Sequence, residues 1–237
     1  MLMASDNRNL PAAARQNEVD AFLRQVAAAP PPITAGGTGR LIFALDATAS
    51  RQPTWDRACH IQSEMFAATA ALGGLALQLC YFRGFGQFEA APWLTDGAAL
   101  IRRMTAVTCL SGKTQIARVL RHAIAEASKG RVNALVYVGD CMEEDADLLG
   151  DLAGQLGLLG VPVFIFQEGS EPDAKRLFQD VARLTRGAYM SFDSASAKTL
   201  RDLLKAVAVY AAGGRKALSH YAEQAGGEIL LLTRQLP

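Results

Sequence analysis

The chain has 237 residues, half of them hydrophobic, and its 24 basic side chains nearly balance 23 acidic ones. This composition is typical of a globular domain with buried strands and excludes an intrinsically disordered chain. The near-zero net charge gives no general attraction for nucleic acid or for an anionic membrane surface.

The N-terminal segment lacks the charged start and the apolar core of a secretory signal peptide. No apolar run reaches the roughly 18 residues that a membrane-spanning helix needs. The four cysteines show no Cys-x-x-Cys spacing, so they do not predict a structural zinc site. A reduced, cytoplasmic setting is the simplest expectation.

Residues 1–39 predict one helix and a linker. Apolar side chains recur at helical spacing between residues 17 and 29, three prolines follow at 30–32, and a glycine-rich segment leads into the first strand. We expect this N-terminal helix to be an appendage of the domain that follows, which we predict to extend over residues 40–210.

From residue 40 to residue 210, strand-like and helix-like segments alternate. Strands are predicted at 41–45, 75–82, 87–94, 134–140, 161–166 and 188–192, and helices at 53–74, 96–107, 115–129, 145–159, 172–185 and 196–210. This alternation predicts an α/β fold with a doubly wound, mostly parallel central sheet and helices on both faces. Pro92 indicates that segment 87–94 is an edge strand.

Residues 211–237 are predicted to form a C-terminal extension. A glycine pair, Gly213–Gly214, precedes a helical segment at 216–224. The apolar segment 229–233 then fits either an added edge strand or the end of a helix.

One stretch, Leu41 to Ser50, carries the strongest chemical signal. A continuous apolar run ends in Asp46, and hydroxyl groups follow at alternate positions, on Thr48 and Ser50. Such a run is typical of a strand buried on both faces, and open α/β sheets bind ligands beyond the carboxyl ends of these strands. Three hard oxygen groups on one loop indicate Mg²⁺ or a similar cation.

Two further loops supply oxygen groups, from Thr114 in Ser-Gly-Lys-Thr and from Asp140 after an apolar strand. Together with Asp46, Thr48 and Ser50, they match a D-x-[ST]-x-S loop, a distant threonine and a distant aspartate. In this the sequence resembles the von Willebrand factor A (VWA) domain family and its metal-ion-dependent adhesion site (MIDAS). The resemblance covers residues 40–210.

The resemblance implies a Rossmann-like domain of the bacterial, intracellular type. It implies that the hydroxyls of Thr48, Ser50 and Thr114 bind Mg²⁺, or Mn²⁺ or Ca²⁺, and that Asp46 and Asp140 act through hydrogen bonds to bound water and to the hydroxyls. Neutral ligands leave the ion much of its charge, and one coordination position stays open. We therefore expect a module that docks an Asp or Glu of a partner protein, and not an enzyme.

Other functions fit these residues less well. A P-loop needs a glycine where Val107 stands, and a phosphatase of the haloacid dehalogenase type needs a second carboxylate where Thr48 stands. A metal-assisted hydrolase lacks a visible nucleophile–base pair. Two alternatives remain open: a metal-free turn in which Asp46 caps the next helix, and an accessory subunit of an AAA-type ATPase or chaperone-like complex, a role that bacterial VWA proteins often have.

Further polar residues lie near the predicted site. Cys109 and Cys141 flank two of its loops and would approach each other if these converge, although small buried thiols are the default interpretation. The acidic residues at 143–147 are expected to complement a helix N-terminus, and Lys113 is expected to point to solvent. The three histidines are dispersed and are interpreted as surface or packing residues.

Overall fold

The computed structural model describes residues 12–30, 38–52, 75–193 and 197–225. The strands are β1 (Gly39–Asp46), β2 (Leu75–Arg83), β3 (Gln87–Ala90), β4 (Ala134–Gly139), β5 (Val163–Glu168) and β6 (Ala188–Phe192). The helices are α1 (Ala12–Ala28), α2 (Gly97–Thr105), α3 (Ile116–Lys129), α4 (Ala146–Leu158), α5 (Pro172–Leu184) and α6 (Ala197–Ala225), and a short 3-10 turn covers Ala49–Arg51. The predicted helix 53–74 and the segment 229–233 lie outside the described residues.

The strands form one six-stranded sheet in the order β3-β2-β1-β4-β5-β6. All neighbouring pairs are parallel except β2 and β3, which run antiparallel. The predicted doubly wound, mostly parallel α/β fold is thus confirmed. Strand β3 is shorter than predicted because Pro92 lacks an N–H group, and beyond it Leu94 pairs with Leu77 only as an isolated bridge.

The central strand β1 is buried on both faces, which explains its continuous apolar sequence. Leu41, Phe43 and Leu45 face a core that also contains residues of α1, α2 and α6. Ile42 and Ala44 face the other core, with residues of α3, α4 and α5. Successive side chains of a strand point to opposite faces of the sheet. In a strand between two helix layers both faces are buried, so apolar residues are favoured at every position.

Helix α1 packs into the first of these cores. Phe22 is 1% exposed, and its ring centroid lies 5.1 Å from that of Phe166 and 6.4 Å from that of Phe164, both on β5. The Arg215 guanidinium donates a hydrogen bond of 2.8 Å to the carbonyl of Ala27, which joins α1 to α6. The helix that the sequence presents as an appendage is therefore packed against the sheet.

Helix α6 is interrupted at the glycine pair at which the sequence predicts a break. Gly214 has φ 71° and ψ −161°, which is not a helical conformation, so α6 consists of two helical segments that meet at a kink. Leu218, beyond the kink, is 3% exposed and belongs to the same core as α1. Among the described residues, no helix combines the length and the apolar character that crossing a membrane would require.

The packing of α1 predicts a large stability loss for Phe22→Ala. Removing a ring that is 1% exposed and that contacts two β5 phenylalanines should lower the free energy of unfolding by about 3–5 kcal/mol. Urea unfolding followed by circular dichroism measures this difference. The control is Gln25→Ala, an exposed position of the same helix. A loss for Phe22→Ala no larger than for the control would show that α1 contributes little to the fold.

Candidate metal site

Asp46 and Asp140 come together because their strands are parallel neighbours. Leu45 of β1 pairs with Val138 of β4, so the residues that end the two strands emerge at the same edge of the sheet. The chain runs from β1 to β2 on one side, while β4 lies on the other. This reversal of strand order is where open α/β sheets bind ligands.

The loop after β1 brings two hydroxyl groups next to the Asp46 carboxylate. The Thr48 N–H donates to Asp46 Oδ1 at 2.8 Å, and the hydroxyl oxygens of Thr48 and Ser50 are 3.1 Å apart. Thr48 is buried, whereas Ser50 is exposed. The three residues of the D-x-T-x-S loop therefore form one cluster of oxygen atoms that is open to solvent on the Ser50 side.

Backbone contacts attach the loop before α3 to the loop after β1. The Leu110 N–H donates to the carbonyl of Ala47 at 3.1 Å, and Leu110 also pairs with Thr48 as an isolated bridge. Gly112 lies against the carbonyl of Gly84, in the turn between β2 and β3, with no room for a Cβ atom. Glycine at this position thus lets the loop approach the sheet closely enough to place Thr114 near the site.

Thr114 is joined in turn to the loop after β4. Its hydroxyl accepts a hydrogen bond of 3.1 Å from the Glu143 N–H, and its own N–H donates to the Glu143 carboxylate at 3.3 Å. A hydroxyl oxygen has two lone pairs, so one remains available to a cation. The structure therefore links the loops that carry all five predicted site residues.

Burial leaves several polar atoms of the site without hydrogen bonds from the described residues. These atoms are Asp46 Oδ2, Asp140 Oδ1 and the hydroxyl of Tyr137, which lies against Gly139 at the end of β4. Buried polar groups in native proteins nearly always have a partner, so these atoms call for a ligand or for water. A hydrated divalent cation would supply donors to both carboxylates, and the hydroxyls of Thr48, Ser50 and Thr114 suit a hard cation. The residues present therefore fit such an ion.

This arrangement disfavours the ionised form of the Asp46 carboxyl. Asp46 is fully buried, and desolvation raises the pKa of its carboxyl from 3.8 to about 6. The hydrogen bonds from Thr48 and the charge of Arg51 act in the opposite direction, while the neighbouring Asp140 carboxylate raises the pKa further. A cation at this point would relieve the repulsion between the two carboxylates.

Arg51 is a site residue that the sequence pattern did not reveal. Its side chain is 1% exposed, and it forms an ion pair with Glu168 at the end of β5. Burial lowers the pKa of the guanidinium, and the charges of Asp46 and Asp140 raise it. An arginine that follows D-x-T-x-S directly looks like an ordinary loop residue, because only the fold brings Glu168 within its reach.

The acidic residues after Asp140 have more specific roles than the sequence suggests. Asp145 caps its own helix, α4, by accepting from the Leu148 N–H at 2.8 Å. Glu144 instead caps a different helix, α3, by accepting from the N–H groups of Ile116 and Ala117. Both interactions place negative charge at a helix N-terminus, as expected.

The cysteines of the described residues are free thiols, Cys80, Cys109 and Cys141. Burial raises the pKa of Cys109, and it raises that of Cys141 to about 12 with a contribution from the Asp140 charge. A thiol reacts as its thiolate, and burial disfavours the thiolate at both positions. Lys113 is exposed, as predicted.

Among the described residues, histidine and cysteine side chains form no second metal centre. In the part of the chain that the structure describes, no three His, Cys, Asp or Glu side chains are placed to hold a metal ion together. His122 hydrogen-bonds through its ring to Gln78 at 2.8 Å, away from the site. Any cation site in this region therefore depends on hydroxyl oxygens as well as carboxylates.

Comparisons with known proteins identify the fold. No protein-family model matches the sequence, and no curated protein sequence is similar to it. Solved structures are similar: a von Willebrand factor type A protein from Catenulispora acidiphila has a TM-score of 0.55 at 15% identity, over 73% of this chain and 43% of that one. The SpRpn10 VWA domain has a TM-score of 0.57 at 16% identity, over 71% of this chain and 94% of that one.

A third similar structure is that of proximal thread matrix protein 1 from the mussel byssus, described as having a zinc-occupied MIDAS motif. Its TM-score is 0.58 at 14% identity, over 73% of this chain and 46% of that one. Two of these three matches thus span less than half of the other chain. The protein has the fold of a von Willebrand factor A domain, which confirms the fold implied by the sequence resemblance.

The buried Asp46 carboxyl makes the stability of the ion-free protein depend on pH. Its pKa rises from 3.8 to about 6 on folding, so the native state holds this proton more tightly than the unfolded chain does. The resulting stabilisation is fully present below about pH 3.8 and is lost as the pH rises through about 6, a loss of about 3 kcal/mol.

Urea unfolding in EDTA at pH 5 and pH 7.5 measures this effect. Asp46→Asn should show a smaller decline in the free energy of unfolding between the two pH values than the wild type, because it has no proton to lose. The exposed Asp180→Asn should decline like the wild type. Equal declines for wild type and Asp46→Asn would show that this carboxyl is not the group responsible.

Proposed function

We propose that this chain is a divalent-cation-dependent protein-binding module. The cation is held by the hydroxyls of Thr48, Ser50 and Thr114, with Asp46 and Asp140 hydrogen-bonded to its water ligands. A partner protein supplies an Asp or Glu carboxylate to the remaining coordination position. The main support for this proposal comes from two buried carboxylate oxygens, Asp46 Oδ2 and Asp140 Oδ1, which have no hydrogen-bond partner among the described residues. Both atoms lie at loops rich in hydroxyl groups.

The chemistry of these ligands supports binding rather than catalysis. Hydroxyl ligands are neutral, so the ion keeps a strong attraction for an incoming carboxylate. The ligand set is made of oxygen atoms, which favours Mg²⁺ or Mn²⁺ over metals that prefer thiolates or imidazoles. The site residues also include no nucleophile next to a general base, as a hydrolase would need. We therefore propose that the module is not an enzyme.

The exposed position of Ser50 supports access by a partner. Thr48 is 7% exposed and Thr114 is 5% exposed, whereas Ser50 faces solvent. A carboxylate arriving from outside would therefore meet the ion on the side of the 3-10 turn Ala49–Arg51. Lys113, also exposed, adds a positive charge to the loop that carries Thr114.

Calorimetric titration with Mg²⁺ and Mn²⁺ tests the metal site. The wild type should bind one ion per chain, and Thr114→Ala should weaken binding at least about tenfold, because it removes one of the direct ligands. The matched control is Ser128→Ala, which removes a hydroxyl from the far end of α3, where it bonds only to Ile124 within the helix. Absence of binding by the wild type at millimolar ion would contradict the proposal.

Affinity capture tests the partner. Proteins from the source cells that are retained by the immobilised chain in Mg²⁺ should be released by EDTA, and they should not be retained by Thr114→Ala. The Ser128→Ala chain should retain them as the wild type does. Retention that is unchanged in EDTA would show that the partner binds elsewhere on the surface and would argue against cation-mediated docking.

A further inference from the structure

Arg51 is the largest fully buried side chain of the described residues, and it lies at the metal site. Burying a guanidinium is costly unless acidic groups compensate it, and arginine keeps its charge in proteins. Among the described residues, Arg51 forms an ion pair with Glu168, and the charges of Asp46 and Asp140 also act on it. These acidic groups offset the cost of burying the guanidinium.

The Arg51 side chain joins the loop after β1 to the end of β5 through its ion pair with Glu168. Arg51 follows β1, Glu168 ends β5, and β4 lies between these two strands. Neighbouring strands are about 4.8 Å apart, so a side chain that joins the ends of β1 and β5 passes the end of β4. Asp140 follows β4 directly. The guanidinium therefore lies beside the carboxylates that are proposed to hold the ion's water ligands.

The charges of this group are unbalanced in the ion-free protein. Among the described residues, the three carboxylates of Asp46, Asp140 and Glu168 interact with the Arg51 guanidinium, so this group of four side chains has an excess of two negative charges. A divalent cation carries the charge that neutralises them. The nearby Glu143 and Glu144 carboxylates accept hydrogen bonds from the N–H groups of Thr114 and of the first turn of α3, and they add further negative charge close to the site.

We propose that Arg51 is a fixed internal cation of the metal site. It offsets part of the negative charge of Asp46 and Asp140, it is held in place by Glu168, and it lowers the affinity of the site for a divalent ion. The pair therefore acts as a positioning and tuning device: Arg51 weakens ion binding, and Glu168 strengthens it. This inference rests on the proposed function, because it concerns the affinity of the same site.

Calorimetry of Mn²⁺ binding distinguishes this charge effect from a purely structural ion pair. Arg51→Gln should bind Mn²⁺ at least about tenfold more tightly than the wild type, and Glu168→Gln about tenfold more weakly, because the two changes alter the field at the site in opposite directions. The double variant should return to within about threefold of the wild type, since both charges are gone. Arg176→Gln, which removes an exposed guanidinium on α5, should bind like the wild type.

A structural role predicts a different pattern. If the pair only holds two loops in place, either single substitution breaks it, and both variants should bind the ion more weakly. That result would overturn the inference while leaving the proposed function intact. Arg51→Lys keeps the positive charge and should bind like the wild type; a lysine variant that binds as tightly as Arg51→Gln would also overturn the inference.

Thermal unfolding in EDTA tests the charge compensation without any ion. Arg51→Gln should lower Tm at pH 8, and adding Asp46→Asn should restore about half of the loss or more, because it removes one of the carboxylates that Arg51 offsets. Losses that simply add would contradict the compensation. If no variant binds Mn²⁺, the proposed function fails, and this measurement still decides the role of Arg51.

Discussion

The structure of the candidate site depends on the parallel pairing of β1 with β4. This pairing brings two carboxylates, Asp46 and Asp140, to one edge of the sheet, and packing on both faces of β1 buries the first of them. Two acids cannot ionise cheaply at such a place. The hydrogen bond from the Thr48 N–H and the positive charge of the buried Arg51 both stabilise the ionised Asp46 carboxylate. The neighbouring hydroxyl groups are suited to bind a cation, which would stabilise both carboxylates further.

The three loops of the site are connected to one another by hydrogen bonds, one between backbone groups and two between backbone and side-chain groups, as well as by the sheet. Leu110 joins the loop before α3 to the loop after β1, and the reciprocal contacts of Thr114 and Glu143 join it to the loop after β4. Such connections reduce the freedom of the ligands before an ion arrives. A pre-positioned set of hydroxyls binds with less loss of conformational entropy than one that must be ordered by the ion.

The fold itself does not specify this function. Chains with 14–16% identity share the architecture with the described part of this protein, and architecture of this kind carries many unrelated activities. The functional proposal therefore depends on the residues at the carboxyl ends of β1 and β4. Arg51 is informative in this respect because it places a buried positive charge next to Asp46 and Asp140.

The fold class and the residues of the candidate site could be predicted from the amino-acid sequence. The alternation of strands and helices predicted the sheet, because short apolar runs without polar gaps, bounded by turn residues, are typical of strands covered on both faces. Asp46, Thr48 and Ser50 were recognisable because a local spacing encodes their proximity. Thr114 and Asp140 could be added from the resemblance to a known family, and the fold then brought their loops to the same edge of the sheet.

Interactions between residues that are far apart in the chain could not be predicted from the sequence and depend on the fold. The ion pair of Arg51 with Glu168, the capping of α3 by Glu144 and the packing of Phe22 on β5 each join separate elements. A charged loop residue, an acidic cluster and an amphipathic helix have the same sequence signal whether they face solvent or a neighbour. Which of the two they face is fixed by the order of the strands and by the layers of helices, and no local pattern contains that information.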